Sequence, residues 1–298
     1  MKKLFAFIIF FLLSVNVLFA DGKPYILTGD VRIKSCSNWQ NKYEHALKCE
    51  ATFGLDYEFP EAWMQTKVKI SNPFETSQRS NVALELHKLL IGCNLFQDEE
   101  SYLDIEFGRN KLDALFESKL QFDNHFNGIL LSYHYKNLSI QGGPHVINSY
   151  LNQFGYIVEA AATDLLNLPI TLKYSLTDWS AFNCNDLDCN YLISQALVKY
   201  ELLPHLNIYG AYLFNHRQSE NGNGFYVGAS FGSLNKASDY LVDLNYQYLE
   251  SAAVPCYDQS GIGKGVQAKL AYAFTDNFSL QGKIATTKTA ELSAIYKW

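Results

Sequence analysis

Apolar and polar residues take turns along most of this chain. In 265–274, Val266, Ala268, Leu270, Tyr272 and Phe274 fall on one side, and Gln267, Lys269, Ala271 and Ala273 on the other. In 240–249, Tyr240, Val242, Leu244, Tyr246 and Tyr248 oppose Asp243, Asn245 and Gln247. The same period of two runs through 51–59, 62–71, 169–177, 278–284 and 290–298. It is weaker in 26–34, 86–96, 102–110, 127–136, 138–146, 153–161, 191–202, 206–216 and 224–232. Successive side chains of a strand point to opposite faces, so each segment predicts a strand with one apolar and one wet side. The segments number about sixteen, with fourteen or twelve as the alternatives. The pattern therefore predicts an all-β fold, a transmembrane antiparallel up-and-down barrel, for which an even strand number is the rule in bacterial outer membranes.

The connections sharpen this. Every second one is short: 59–61, 97–100, 136–137, 203–205 and 275–277. The others are mostly longer and more polar: 35–49, 72–84, 111–126, 177–190, 217–223 and 251–263. Short turns on one rim and long loops on the other are the asymmetry of a transmembrane barrel. A soluble two-sheet sandwich would also alternate. Aromatic pairs at strand ends, such as Tyr57 with Phe59 and Tyr272 with Phe274, favour the barrel, because such rings suit the membrane–water boundary.

Composition agrees. Aromatics make up 15% of the 298 residues and charged side chains only 18%, against about a quarter in an ordinary globular domain. Residues 1–20 have a basic start at Lys2 and Lys3, an apolar run, and Ala20 before Asp21, which is the form of a cleaved secretory signal. A retained membrane helix is the alternative for that segment. The expected organisation is a signal over 1–20 and a barrel over 21–298. Without Lys2 and Lys3, 22 basic residues face 30 acidic ones, a formal charge of −8, which argues against nucleic acid as a partner. Past residue 20 no apolar run reaches the roughly 18 residues of a spanning helix.

Two stretches carry a family resemblance. The chain closes on Tyr296 and Trp298 with apolar residues at alternate positions behind them. This resembles the terminal signature of outer-membrane β-barrels, which implies that Tyr296 and Trp298 are read by the barrel-insertion machinery as well as facing outer-membrane lipid. Residues 103–135, with Gly108-Arg109-Asn110 and Phe126-Asn127-Gly128-Ile129, resemble a stretch of Gram-negative porins of the general, carbohydrate and alginate-export types. In those families the pattern reads Gly-Arg-Gln and Phe-Asp-Gly-Val, so this chain departs from it at Asn110 and Asn127. The resemblance implies a passive channel for small hydrophilic solutes or ions, a homotrimer, and a third long loop folded inward. On it Asp113, Glu117, Lys119 and Asp123 are expected at the constriction.

Parity puts Arg32, Lys67, Lys69, Asp104, Glu106, Lys173 and Lys269 on the pore-lining side. Charged rings in a lumen set ion preference, and the acidic excess of 111–126 leans to cations. Of six cysteines, Cys36 with Cys49 and Cys184 with Cys189 flank loops on one rim, where an oxidising compartment would permit disulfides. Cys93 falls on the lipid side beside Ile91 and Leu95. His45 lies near Cys49, but the spacing of these ligands does not make a zinc finger, and no metal or cofactor is expected. The enzyme alternative is a barrel hydrolase. Residues 215–224 faintly resemble the region around the active site of outer-membrane phospholipase, yet His216 and Ser219, three apart, would lie on opposite faces of a strand. A structural or adhesive barrel is a third reading, weakened by loops short for display. No catalytic residue is expected, and diffusion through a charged opening is the function the sequence supports.

Overall fold

A computed structural model describes residues 25–38, 44–74, 82–148, 153–181, 191–255, 263–286 and 289–298. The expected signal segment 1–20 and the pair Cys184 and Cys189 lie outside them. The described residues form sixteen strands: β1 (Tyr25–Asn38), β2 (Glu44–Glu58), β3 (Ala62–Phe74), β4 (Ala83–Gln97), β5 (Ser101–Lys111), β6 (His125–Tyr135), β7 (Leu138–Asn148), β8 (Gln153–Ala162), β9 (Ile170–Ala181), β10 (Tyr191–Leu203), β11 (Leu206–Asn215), β12 (Asn223–Gly232), β13 (Tyr240–Leu249), β14 (Lys264–Ala273), β15 (Phe278–Ala285) and β16 (Thr289–Lys297). One four-residue helical turn, α1 (Leu112–Leu115), interrupts them. No helix among the described residues is long and apolar enough to cross a membrane.

Each strand pairs antiparallel with its chain neighbours, and β1 pairs with β16 to close the sheet on itself. Closure removes the open edges that would otherwise present unpaired N–H and C=O groups. At the seam Val31 faces Tyr296 and Ile33 faces Ala294. The Trp298 amide donates to the Gly29 carbonyl at 3.2 Å. Its indole lies over Gly29, where a Cβ would fall 2.2 Å from the ring, and its centroid is 5.9 Å from that of Phe53. Glycine at position 29 thus gives the indole its seat across the seam.

The apolar rows of the alternating strands face outward. Leu84, Leu270, Ile284 and Tyr156 are each more than half exposed, which is costly in water and favourable in hydrocarbon.

The five connections expected to be short lie on one rim, and turns on that rim are built from local hydrogen bonds. Asp98 accepts from the Glu100 and Ser101 amides at 2.8 and 2.6 Å. Those two amides hold its carboxyl below the ordinary carboxylate range. Asp239 does the same for the turn between β12 and β13, accepting from Asn235, Ser233 and Lys236, and its carboxyl is likewise lowered, chiefly by the Asn235 amide.

Two expectations need correction. The connection expected at 35–49 is shorter, because β1 runs to Asn38 and β2 starts at Glu44. Ser35 and Ser37 occupy outward positions there, as they can once a strand rises past the apolar band of the bilayer. The disulfide expected between Cys36 and Cys49 is absent. Cys36 faces Ala46 and Cys49 faces Ile33, so the two cysteines sit three ladder steps apart, about 10 Å at the usual strand rise, and on opposite faces of the sheet. Disulfide geometry does not span that. Both thiols are free, as is that of Cys93.

Candidate channel constriction

The porin-like stretch 103–135 is one hairpin with a loop at its end. Gly108 faces Gly128, Arg109 faces Asn127 and Asn110 faces Phe126 across the β5–β6 ladder. Arg109 donates from Nε to the Leu86 carbonyl at 2.6 Å and from Nη1 to Asn127 Oδ1 at 2.9 Å. Gly108 has φ +133°, and a Cβ there would fall 2.0 Å from the Leu89 carbonyl oxygen, so only glycine lets β4 and β5 approach. The quoted motif residues are therefore contact partners that fix where the loop leaves the wall. The Leu112 amide closes the neck by donating to Asn124 O at 3.0 Å.

From that neck the loop turns into the barrel. Leu112, Phe116, Leu120 and Phe122 are buried, and they pack on the inner faces of β6 to β13, against Leu130, Ile157, Trp179, Ile193, Leu213 and Tyr226 among others. Polar clamps set the depth. Ser118 Oγ donates to Gln195 Oε1 at 2.9 Å while Gln195 Nε2 returns a bond to the Glu117 carbonyl at 3.0 Å. Gln141 Nε2 donates to the Leu115 carbonyl at 2.8 Å. Ser118 Oγ also accepts the Leu120 and Gln121 amides at 3.1 and 3.2 Å, which tightens the tip.

Of the four loop charges expected at a constriction, the structure ties two to the wall. Glu117 pairs with Lys173 at 3.2 Å. Lys119 lies 3.7 Å from Asp243 and 4.8 Å above the Tyr209 ring. Tyr209 in turn donates its hydroxyl to Asp243 at 2.6 Å. Asp113 and Asp123 are exposed, and Asp113 has Lys111 at 3.4 Å.

Across the lumen, β14 to β3 carry the charged rows. Lys269 interacts electrostatically with Asp243, Lys119, Lys283 and Arg32, which places these groups in one cluster. Lys67 lies 3.6 Å from Asp30 and Lys69 lies 2.7 Å from Glu50. Asp104 and Glu106 accept from Asn94 Nδ2 at 2.9 Å and Trp63 Nε1 at 3.1 Å. The expected pore-lining residues Arg32, Lys67, Lys69, Asp104, Glu106, Lys173 and Lys269 thus share the inner side, although Lys173 belongs to the loop-covered half.

Sequence reasoning missed Glu50, held between Lys48 and Lys69 at 2.8 and 2.7 Å, and Glu291, at 2.8 Å from Lys34. Glu50 was hidden by the assignment of 35–49 as a loop. It also missed the clamps Gln141 and Gln195. The signal for Gln195 was a polar residue within an otherwise apolar inner row, Ile193, Gln195, Leu197.

The hydrolase pair resolves differently from its sequence reading. His216 Nε2 lies 2.9 Å from Ser194 Oγ, a serine of β10, and Ser219 is not its partner. Among the described residues no group orients the other ring nitrogen of His216, as a base–nucleophile pair requires.

No protein-family model matches the sequence, and no curated protein is significantly similar to it. Solved structures do match in fold. OmpF of Salmonella typhi, solved in complex with daunomycin, superposes with a TM-score of 0.65 at 13% identity, over 94% of this chain and 99% of that one. OprB of Pseudomonas putida at high pH gives 0.65 at 11%, over 92% and 94%. A porin variant from Rhodopseudomonas blastica gives 0.56 at 10%, over 92% and 100%. The chain therefore has the sixteen-stranded fold of these porins.

Proposed function

We propose that this chain is an outer-membrane porin, a passive diffusion channel for small hydrophilic solutes or ions. The observation that carries the reading is the division of the lumen. A loop held by apolar packing fills one side, and the opposite wall keeps charged rows that have no reason to persist in a dry core. Loop residues Asp113 and Asp123 and wall residues Arg32, Lys269 and Lys283 are the groups a permeating ion would meet. Passage involves no covalent step and no cofactor. The outward apolar surface supports a barrel that sits in outer-membrane lipid, reached by export and the barrel-insertion machinery, and the porin resemblance supports a homotrimer.

Planar-bilayer recording of the purified, refolded protein tests this. Discrete conductance steps are expected. Silent bilayers from correctly folded protein would remove the proposal. Native mass measurement in detergent tests the trimer separately.

A further inference from the structure

Beside the neck of the inward loop lies a group of side chains that solute passage does not use. Glu85 and His87 stand on β4, and His125 opens β6. One ligand atom from each lies within 4.8 Å of the other two. Their arrangement follows from local irregularity. Lys67 pairs with Lys88 and Val68 with Leu86, so His87 is the extra residue of a β-bulge. A bulge re-aims a side chain that strict alternation would send elsewhere. His125 is positioned by its ladder partner Lys111, the last pair before the loop departs. The two imidazoles meet edge to face with centroids 5.3 Å apart.

One hydrogen bond joins part of the group, and His125 is left outside it. His87 Nε2 lies 3.1 Å from Glu85 Oε2. His125 Nε2 lies 3.7 Å from Glu85 Oε1, too far for a hydrogen bond. That nitrogen is buried and has no hydrogen-bond partner, and His125 is only 9% exposed. An orphaned buried ring nitrogen is costly. Two donors bound to one zinc ion at about 2.0–2.2 Å in tetrahedral geometry stand about 3.3–3.6 Å apart, so a rotamer adjustment of about 1 Å completes the set.

The surrounding charges permit a cation. Lys69, Arg109 and Lys111 are the basic groups that interact with this cluster. Each is engaged elsewhere: Lys69 with Glu50 at 2.7 Å, Lys111 with Asp113 at 3.4 Å, and Arg109 with Leu86 O and Asn127 Oδ1.

We propose that Glu85, His87 and His125 form a binding site for one borderline divalent transition metal, zinc being the best fit, with water in the fourth position. Two imidazoles and one carboxylate suit zinc, copper or nickel, whereas calcium and magnesium demand a shell of oxygens. The ion would join β4 to β6 across β5, at the root of the lumen loop. The site does not depend on channel activity.

The test is metal binding by tag-free protein refolded in detergent with its thiols alkylated, since the chain carries six cysteines and thiolates are themselves zinc ligands. Titration with zinc, followed calorimetrically, should give one site per chain. Cobalt substitution should give a visible spectrum of nitrogen and oxygen ligation without a thiolate charge-transfer band. His125→Asn should weaken binding at least about tenfold. Glu85→Gln, at a partly exposed side chain, should also weaken it and serves if His125→Asn does not fold. Absence of a stoichiometric site in the alkylated wild type, or binding unchanged in the folded variants, overturns the proposal.

Discussion

The two halves of this barrel wall share an outer face and differ inside. From β14 round to β5 the inner rows carry charge: Lys269, Lys283, Arg32, Lys67, Lys69 and Glu106. From β6 to β13 the inner rows carry Leu130, Ile157, Trp179, Ile193, Leu197 and Leu213, all buried beneath the loop that starts at Leu112. A lumen of sixteen strands is too wide for wall side chains alone to fill. One half is covered by a segment of the chain itself, and the other carries the charged rows. The lesson is that weak alternation carries information. Segments 191–202 and 206–216 alternate poorly because apolar residues stand on both faces, the outer row and, at Ile193, Leu197 and Leu213, the inner row beneath the loop.

The largest expected effect comes from detaching the loop. Phe116 is 1% exposed and packs on Phe122 with centroids 5.7 Å apart. Phe116→Ala removes a buried ring, a change that costs about 3–5 kcal/mol in a packed core. Single-channel steps should become larger and noisier, and limited proteolysis should cut within 112–124. Next, Gln195→Leu removes both bonds that clamp Ser118 and the Glu117 carbonyl, at a cost of about 1–3 kcal/mol. It should raise open-channel noise with a smaller gain in conductance. Charge reversal on the other half should leave the loop in place. Lys283→Glu should shift the reversal potential across a salt gradient toward cation preference, with little change in thermal stability. The smallest effect belongs to His216→Ala. It removes one exposed contact to Ser194, and both conductance and any lipid hydrolysis should match wild type. Loss of a lipase activity in that variant would favour the enzyme reading instead.

The strand inventory could be read from the sequence because the outward rows are apolar, so Val266, Leu270 and Tyr272 announce their face. The signal fades where an outward row turns polar. Ser35 and Ser37 take outward positions, and β1 and β2 therefore extend further than alternation indicates. The same limit misled the cysteine assignment, since Cys36 and Cys49 flank an apparent loop that is mostly strand. The candidate constriction was legible only as a loop with charges. What holds it, Ser118 against Gln195, joins residues 77 apart, and no local pattern links them. The cluster of Glu85, His87 and His125 was equally hidden, because a bulge at His87 sets its aim.

The division of the lumen is tested most directly by thiol accessibility at two positions in a background with the six natural cysteines changed to serine. Lys283→Cys lies on the charged wall, and Thr177→Cys lies on an inner row beneath the loop, where Thr177 has no exposure. Single-channel current is recorded while a charged thiol reagent is added. The steps should fall at position 283 and stay constant at position 177. Equal block at both positions, or no effect at 283 in a conducting channel, would contradict a lumen half filled by the loop and half open to water.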